Sequence, residues 1–286
     1  MSLITQSLSR SKVFSDALLS SKTSQAGVII LASLALLILV GRLLTPYSPY
    51  AVTPNPNSPP SLVHPFGTDF QGHDLLSQVI YGAYPSLSVA LLAAIGSVAL
   101  GFFSGVFSGY FRKLEGGISG TTDAVLTLPI LPTIILIAAL FEASDLLVAG
   151  LLTLLLWAPV ARAVTAQVLS VKQLTYVDVA RLSGMKDLRI VWRVIIPEVG
   201  PIAIGYTIIN LAISIVLITA LEFLGVGDPN VVSWGSILYW AQQFAFTAGD
   251  WWWVLAPGII IALLAVGLAL VGYSVEEALN PRLRRR

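Results

Sequence analysis

AGVIILASLALLILVGRLL, residues 26–44, settles which solvent the chain is built for. About a dozen of these residues are Leu, Ile or Val, each worth roughly −0.4 kcal/mol at the centre of an inserted helix. The run therefore gains on the order of −5 kcal/mol in lipid. Some 20 residues at about 1.5 Å each cover the ~30 Å of hydrocarbon in a bilayer. Arg42 lies near the end of the run, where its long stem lets the guanidinium reach the interface. The run is longer than the apolar core of a secretion signal, and the chain stays hydrophobic after it, so it reads as a retained first span.

Five further apolar runs follow, at about residues 86–107, 121–141, 146–164, 199–221 and 253–273. The composition agrees: 56% of the 286 residues are hydrophobic, 11% are charged, and the mean hydropathy is +0.84. Soluble chains carry about 25% charge, and a soluble protein of this size could not cover its surface with so little. With no cysteine, disulfides, thiolate metal sites and cysteine nucleophiles are excluded. A net charge of +1 leaves no basic domain for nucleic acid. The expected fold is all-α, a polytopic membrane protein of six transmembrane helices.

Six spans place both termini on one side, and the cations say which. Arg10, Lys12 and Lys22 precede the first span, and Arg112 and Lys113 lie between the second and third. Arg162, Lys172, Arg181, Lys186, Arg189 and Arg193 fall between the fourth and fifth, and Arg282, Arg284, Arg285 and Arg286 close the chain. Only Arg42 faces the other way, whereas Asp69, Asp74, Glu142, Asp145, Asp228 and Asp250 do so among the acids. Positive charge marks the cytoplasmic side, so both termini are expected there, in the cell membrane.

The domain organisation follows. Residues 1–25 form a cytoplasmic N-terminal segment and residues 26–286 a six-span domain. Within it, residues 45–85 make an outer loop whose seven prolines from Pro46 to Pro65 favour an extended path. Residues 71–83 read as a short interfacial helix leading into the second span. Residues 222–250 make a second outer loop anchored by Trp234 and Trp240, followed by an aromatic belt of Trp251, Trp252 and Trp253. Residues 165–197 make a cytoplasmic loop that is rich in charge yet holds apolar residues at helical spacing. Tyr176, Val179, Ala180 and Ser183 share one stripe there. Gly184 can take a positive φ for a tight bend into a second short helix. Such a pair of helices either lies on lipid headgroups or docks a cytoplasmic protein, and the chemistry alone leaves both open.

Several motifs are missing. No G-x-x-x-x-G-K-[ST] occurs, so the chain has no P-loop for ATP hydrolysis. No His or paired Asp lies deep in a span to serve an intramembrane protease, and no zinc-ligand cluster exists. His64 and His73 sit in the outer loop, bonding locally or facing water. No enzyme activity is expected, with no catalytic residue and no metal site. Asp123, near the cytoplasmic end of the third span, and Glu222, at the outer end of the fifth, are the candidates for the translocation path. Asp69, Asp74 and Trp234 are candidates for an outer gate or for docking an external protein.

Asp178-Val179-Ala180, with Gly184 six residues after Asp178 and Val194-Ile195-Ile196-Pro197 ending nineteen after it, resembles the EAA loop of ABC importer permeases, E-A-A-x3-G-x9-I-x-L-P. Asp for Glu, Val179 for Ala, Val194 for Ile and Ile196 for Leu are the departures, and all keep charge or apolar character. His64-Pro65-Phe66-Gly67-Thr68-Asp69 with Gly72-His73-Asp74-Leu75-Leu76-Ser77 is similar to a segment of the second permease subunit of dipeptide, oligopeptide and nickel importers. There His73 replaces Arg. Phe223-Leu224-Gly225-Val226-Gly227, Ser233-Trp234-Gly235, Pro257-Gly258 and Leu279-Asn280-Pro281-Arg282-Leu283 fit the same branch, from about residue 26 to the C-terminus. Thr165 stands where many relatives carry Arg.

The resemblance implies the type I ABC importer permease fold and an ATP-driven importer of peptides or oligosaccharides, with nickel as the alternative within the family. It implies a homologous second permease subunit, two ABC ATPase subunits that hold the ATP and Mg, and an extracellular substrate-binding protein. It also implies that Asp178, Val179, Ala180, Arg181, Gly184, Ile196 and Pro197 form the ATPase-coupling element. A self-sufficient ion-coupled carrier is the competing class; it calls for inverted repeats and midplane charges.

Overall fold

The computed structural model describes residues 21–45, 47–141, 144–228 and 230–279. Of the sequence expectations, residues 1–20 of the N-terminal segment, Arg10, Lys12, Glu142 and the ending from Asn280 to Arg286 lie outside the described residues.

The chain is almost wholly helical. The first span is α1 (Lys22–Leu44), which Ser21 caps by accepting the Ser24 N–H at 3.0 Å. The second is α2 (Leu75–Tyr110), one helix of 36 residues. At about 1.5 Å per residue it is roughly 54 Å long, so it stands well clear of the hydrocarbon. The separate interfacial helix expected over residues 71–83 is instead the first turns of α2, which Pro85 does not interrupt. A proline inside a helix costs about 3 kcal/mol. Here Leu75, Val79, Ala83, Ser86 and Ala90 are buried on both sides of it, and that packing outweighs the lost bond.

The third span is not straight. It consists of α3 (Arg112–Thr127) and α4 (Ile130–Leu140), bent by 87°. Pro129 offers no N–H to the Val125 carbonyl, and the residue before a proline is pushed out of the helical region. Leu128 accordingly lies at φ −77, ψ 128 and gives its N–H to Val125 in a tighter turn of 3.1 Å. The continuous span expected over residues 121–141 is corrected to this broken pair.

The fourth span is α5 (Asp145–Val171). It lies against α2 along a stripe of glycines four residues apart. A Cβ on Gly101 would stand 2.5 Å from the Trp157 carbonyl oxygen, and one on Gly105 would stand 2.6 Å from that of Ala161. Gly109 continues the stripe against Val168. In lipid, where apolar side chains gain nothing by leaving solvent, such close backbone approach is the main source of helix–helix attraction.

After α5 come α6 (Thr175–Leu182), α7 (Asp187–Ile190), a π-helical turn (Val191–Ile195) and α8 (Ile196–Phe223), the last three forming one rod. The second outer loop contains α9 (Trp234–Ala248), and α10 (Trp251–Leu279) is the final span. Among the described residues five helical stretches are long and apolar enough to cross a bilayer, or six with the bent pair counted as one. The protein is thus an integral, multi-pass membrane protein. Asn210 of α8, buried, donates to Ser97 of α2 at 2.9 Å and to the Leu156 carbonyl of α5 at 3.5 Å, which ties three spans together.

Candidate coupling element and outer cap

The loop between the fourth and fifth spans is built outward from a small core of its own. Val177 of α6, Ile190, Val191 and Ile195 are fully buried against Val106, Val164 and Val168 at the ends of α2 and α5. Three polar contacts fix the same junction. The Tyr110 hydroxyl donates to Asp187 at 2.7 Å, and Lys172 donates to the Tyr110 carbonyl at 2.6 Å. Lys172 also stands over the Tyr110 ring, 5.3 Å from its centre.

Gly184 makes the bend between α6 and α7. Its φ is +77, its N–H reaches the Arg181 carbonyl at 3.0 Å, and Met185 reaches back to the Ala180 carbonyl at 3.2 Å. These bonds satisfy the carbonyls at the end of α6 in the manner of a glycine C-cap. Nothing lies within 4 Å of where a Cβ on Gly184 would stand, so the backbone conformation alone demands glycine there.

Pro197 has an equally local effect. It cannot donate to the Arg193 carbonyl, and the ladder just before it shifts to the wider π spacing, with the Ile196 N–H bonded to Val191. The Pro therefore sets how the short helix α7 joins span α8.

The other side of the loop is bare. Leu182 is 88% exposed, Leu188 59%, Val179 56%, Trp192 54% and Tyr176 46%. The stripe of Tyr176, Val179 and Ser183 thus faces outward, while Val177 holds the helix down and Ala180 is partly covered. Asp178 and Arg181 form an exposed pair, N–O 3.3 Å, on this same face. Partial burial raises the pKa of the Tyr176 hydroxyl, and the charge of Glu198 adds to the shift. The arrangement is a rigidly seated platform that presents apolar side chains ringed by charge.

At the opposite end, the prolines of residues 47–74 run without a helix, and two histidine–carboxylate pairs hold them in place. His64 Nδ1 meets Asp74 at 2.9 Å, and the other oxygen of Asp74 caps α2 by accepting the Ser77 N–H at 2.8 Å. Asp69 accepts the N–H groups of Gln71 and His73, and its second oxygen accepts from His73 Nδ1 at 2.8 Å and Gln78 at 3.0 Å. Asp69, Asp74 and Trp234 are 4%, 2% and 0% exposed. They shape the outer surface largely from below, with Asp69 also lining a pocket there. Trp234 donates through Nε1 to the Val79 carbonyl at 2.8 Å and so ties α9 to α2. The aromatic belt is likewise reassigned. Trp251 is exposed, but Trp253 is buried and stacked on Phe70 with centroids 5.7 Å apart.

Glu222 lies under the start of α9, where it accepts from the capping Ser233 hydroxyl at 2.7 Å and fills the space a Cβ on Gly235 would need. Through that bond to the N-cap of α9 this residue pins the outer loop. Asp123 of α3 pairs with Arg162 of α5, both well exposed. The charge pair joins the broken span to the fourth span on a surface the chain leaves uncovered.

Residues 97–285 match the family described as "Binding-protein-dependent transport system inner membrane component". A Brucella suis biovar 1 protein, provisionally named as a peptide transport system permease protein, is 35% identical over 260 residues, 87% of this chain and 86% of its own length. The dipeptide transport system permease protein of Alkalihalophilus pseudofirmus is 33% identical over 271 residues, 92% of this chain and 87% of its own. Its counterpart in Bacillus subtilis is 30% identical over 269 residues, covering 93% and 83%. The chain belongs to the binding-protein-dependent transport system inner membrane component family, as an all-α permease subunit of the dipeptide and oligopeptide branch of ABC importers.

Proposed function

We propose that the chain forms half of the translocation path of an ATP-driven peptide importer and that the loop from α6 to α7 seats a separate nucleotide-hydrolysing subunit. One observation carries this reading: a loop fixed rigidly on one side by Val177, Ile190 and Tyr110 leaves Val179, Leu182, Leu188 and Trp192 uncovered on the other. A loop that merely rested on headgroups would not need such a seat. The ATP and Mg belong to two partner ATPases, since this chain has no P-loop. A homologous permease completes the path, and an external binding protein delivers substrate to the outer cap. The cation distribution supports cytoplasmic termini. The relatives' names support peptide over oligosaccharide or nickel as the substrate class.

Closure of the ATPase pair would push on α6 and α7, and the rigid seat would pass that push to α2, α5 and α8. Asp178 and Arg181 would set the docking geometry, and Ala180 would permit close approach. Uptake of a labelled dipeptide by membrane vesicles, measured with ATP consumption, tests the reading. Ala180→Trp and Gly184→Glu should insert normally yet hydrolyse ATP without uptake. Normal transport by both variants would overturn the coupling assignment, and uptake of a labelled maltooligosaccharide with no uptake of dipeptide would overturn the substrate class.

A further inference from the structure

Beside the outer cap, the chain carries an amphipathic groove of about 590 Å³ between α1 and the first turns of α2, closed by Pro49, Tyr50, Val231 and Val232. Its polar end holds Arg42, Tyr50, Tyr81 and Tyr84, and its apolar end holds Ile38, Leu87 and Leu91. The order runs with the helices. On α1, Ile38 lies one turn inward of Arg42, and on α2 the tyrosines precede Leu87 and Leu91, so polarity falls with depth into the bilayer.

The cation is placed deliberately. Gly41 brings α1 onto Ile80, where a Cβ would stand only 2.5 Å from the Ile80 side chain. This contact holds the Arg42 guanidinium over the Tyr81 ring, 5.5 Å from its centre. No carboxylate pairs with Arg42 among the described residues. Tyr84 is 75% and Tyr50 62% exposed, so the mouth is open, and Leu91 at 43% leaves the deep end open as well.

We propose that this groove binds one anionic membrane phospholipid, its phosphate on Arg42 and one acyl chain along Ile38, Leu87 and Leu91. An unpaired guanidinium at the interface favours a headgroup that brings no ammonium of its own to offset the phosphate. Tyrosine rings suit the glycerol level, where one face is apolar and the hydroxyl is wet. A free phosphate ion would use only the cation and would leave the apolar strip empty. A protein segment would meet a groove whose polarity is graded along the bilayer normal, which is the profile of a lipid. The site does not depend on the transport reading, since any multi-pass chain with this groove would hold the same ligand.

Native mass spectrometry of the full chain, purified together with whatever subunits accompany it, tests the proposal with phosphatidylglycerol, phosphatidylcholine and glycerol 3-phosphate as probes. A single interfacial cation is worth about a fivefold preference for an anionic lipid. Wild type should therefore retain phosphatidylglycerol about fivefold over phosphatidylcholine. The ratio should fall towards one in Arg42→Gln and stay near wild type in Arg42→Lys. Ser88→Trp, which fills the groove and leaves the cation in place, should lower retention of both lipids, and it serves alone if Arg42→Gln fails to insert. Equal retention on wild type, a ratio unmoved by Arg42→Gln, unchanged retention in Ser88→Trp, or displacement of the lipid by glycerol 3-phosphate would each overturn the site. So would a photo-crosslinker at position 88 that captures a protein chain instead of lipid.

Discussion

Replacing Gly105 by Ala sets two opposing effects against each other, and the structure decides between them. Alanine is the better helix former by about 1 kcal/mol, which alone would make the variant more stable. Its Cβ, however, would lie 2.6 Å from the Ala161 carbonyl oxygen and 2.7 Å from Val164 Cβ. A carbonyl inside α5 cannot turn aside, so α2 and α5 must part by about 0.8 Å to restore a 3.4 Å contact. That separation loosens the neighbouring contacts at Gly101 and Gly109 too. Overpacking of this kind costs about 1–3 kcal/mol, and no gain in lipid offsets it. The net expectation is a loss of about 0–2 kcal/mol, which lowers the folded-to-unfolded ratio by up to about 30-fold. Gly120→Ala on α3 is the control, because nothing lies within 4 Å of its Cβ position. Reversible unfolding of both variants in mixed micelles gives the comparison. If Gly105→Ala matches or exceeds Gly120→Ala, the glycine stripe does not hold the two spans together.

Other expectations follow from single contacts. Leu182→Asp, at a side chain 88% exposed, should leave insertion and thermal stability unchanged while reducing copurification of the ATPase several-fold; undiminished capture would remove Leu182 from the docking face. Pro129→Ala restores the N–H that an unbroken helix would give to the Val125 carbonyl, which now accepts from Leu128 in a tighter turn, so spin labels on α3 and α4 should move apart as the 87° bend opens; an unchanged distance would place the cause of the bend elsewhere. Ser233→Ala removes both the cap of α9 and the bond to Glu222, and should cost about 1–2 kcal/mol in chemical unfolding. A Ser233→Thr variant that keeps the oxygen should recover most of it.

The spans and the α6–α7 bend were legible because their signals are local. A run such as residues 26–44 declares its solvent without reference to any other part of the chain, and Gly184 declares its φ in the same way. Other features were written in the sequence but needed the right question. Leu128-Pro129 inside an apolar run marks a break, and glycines at 101, 105 and 109 mark a face for close packing. What could not be read depends on the third dimension. Asp69 and Asp74 look like surface acids, and only folding of the proline-rich segment against α2 buries them with His73 and His64. Likewise α6 has only eight residues, and whether Val177 or Val179 goes inward is decided by where α2 and α5 end.

The placement of these contacts limits where the molecule can give. Helix α2 is one rod whose outer end is bound to Asp74 and Asp69 and whose inner end is bound to Asp187 and Lys172. Along its length the glycine stripe fixes it to α5, which runs on into α6. A push on the coupling face therefore cannot be absorbed between α2, α5 and α6, because that core is close-packed and bistable at most, not elastic. Two points in the frame are softer. One is the Leu128–Pro129 break, where the backbone ladder is already interrupted. The other is the π turn (Val191–Ile195), which keeps fewer favourable bonds than an α-helix and sits between the coupling loop and α8. Motion driven from the α6–α7 face should thus appear as rotation of α8 and α4 against a fixed α2–α5 pair. Glu222 lies on α8 itself, and the Asp123–Arg162 pair joins α3 to α5 about one turn before the break.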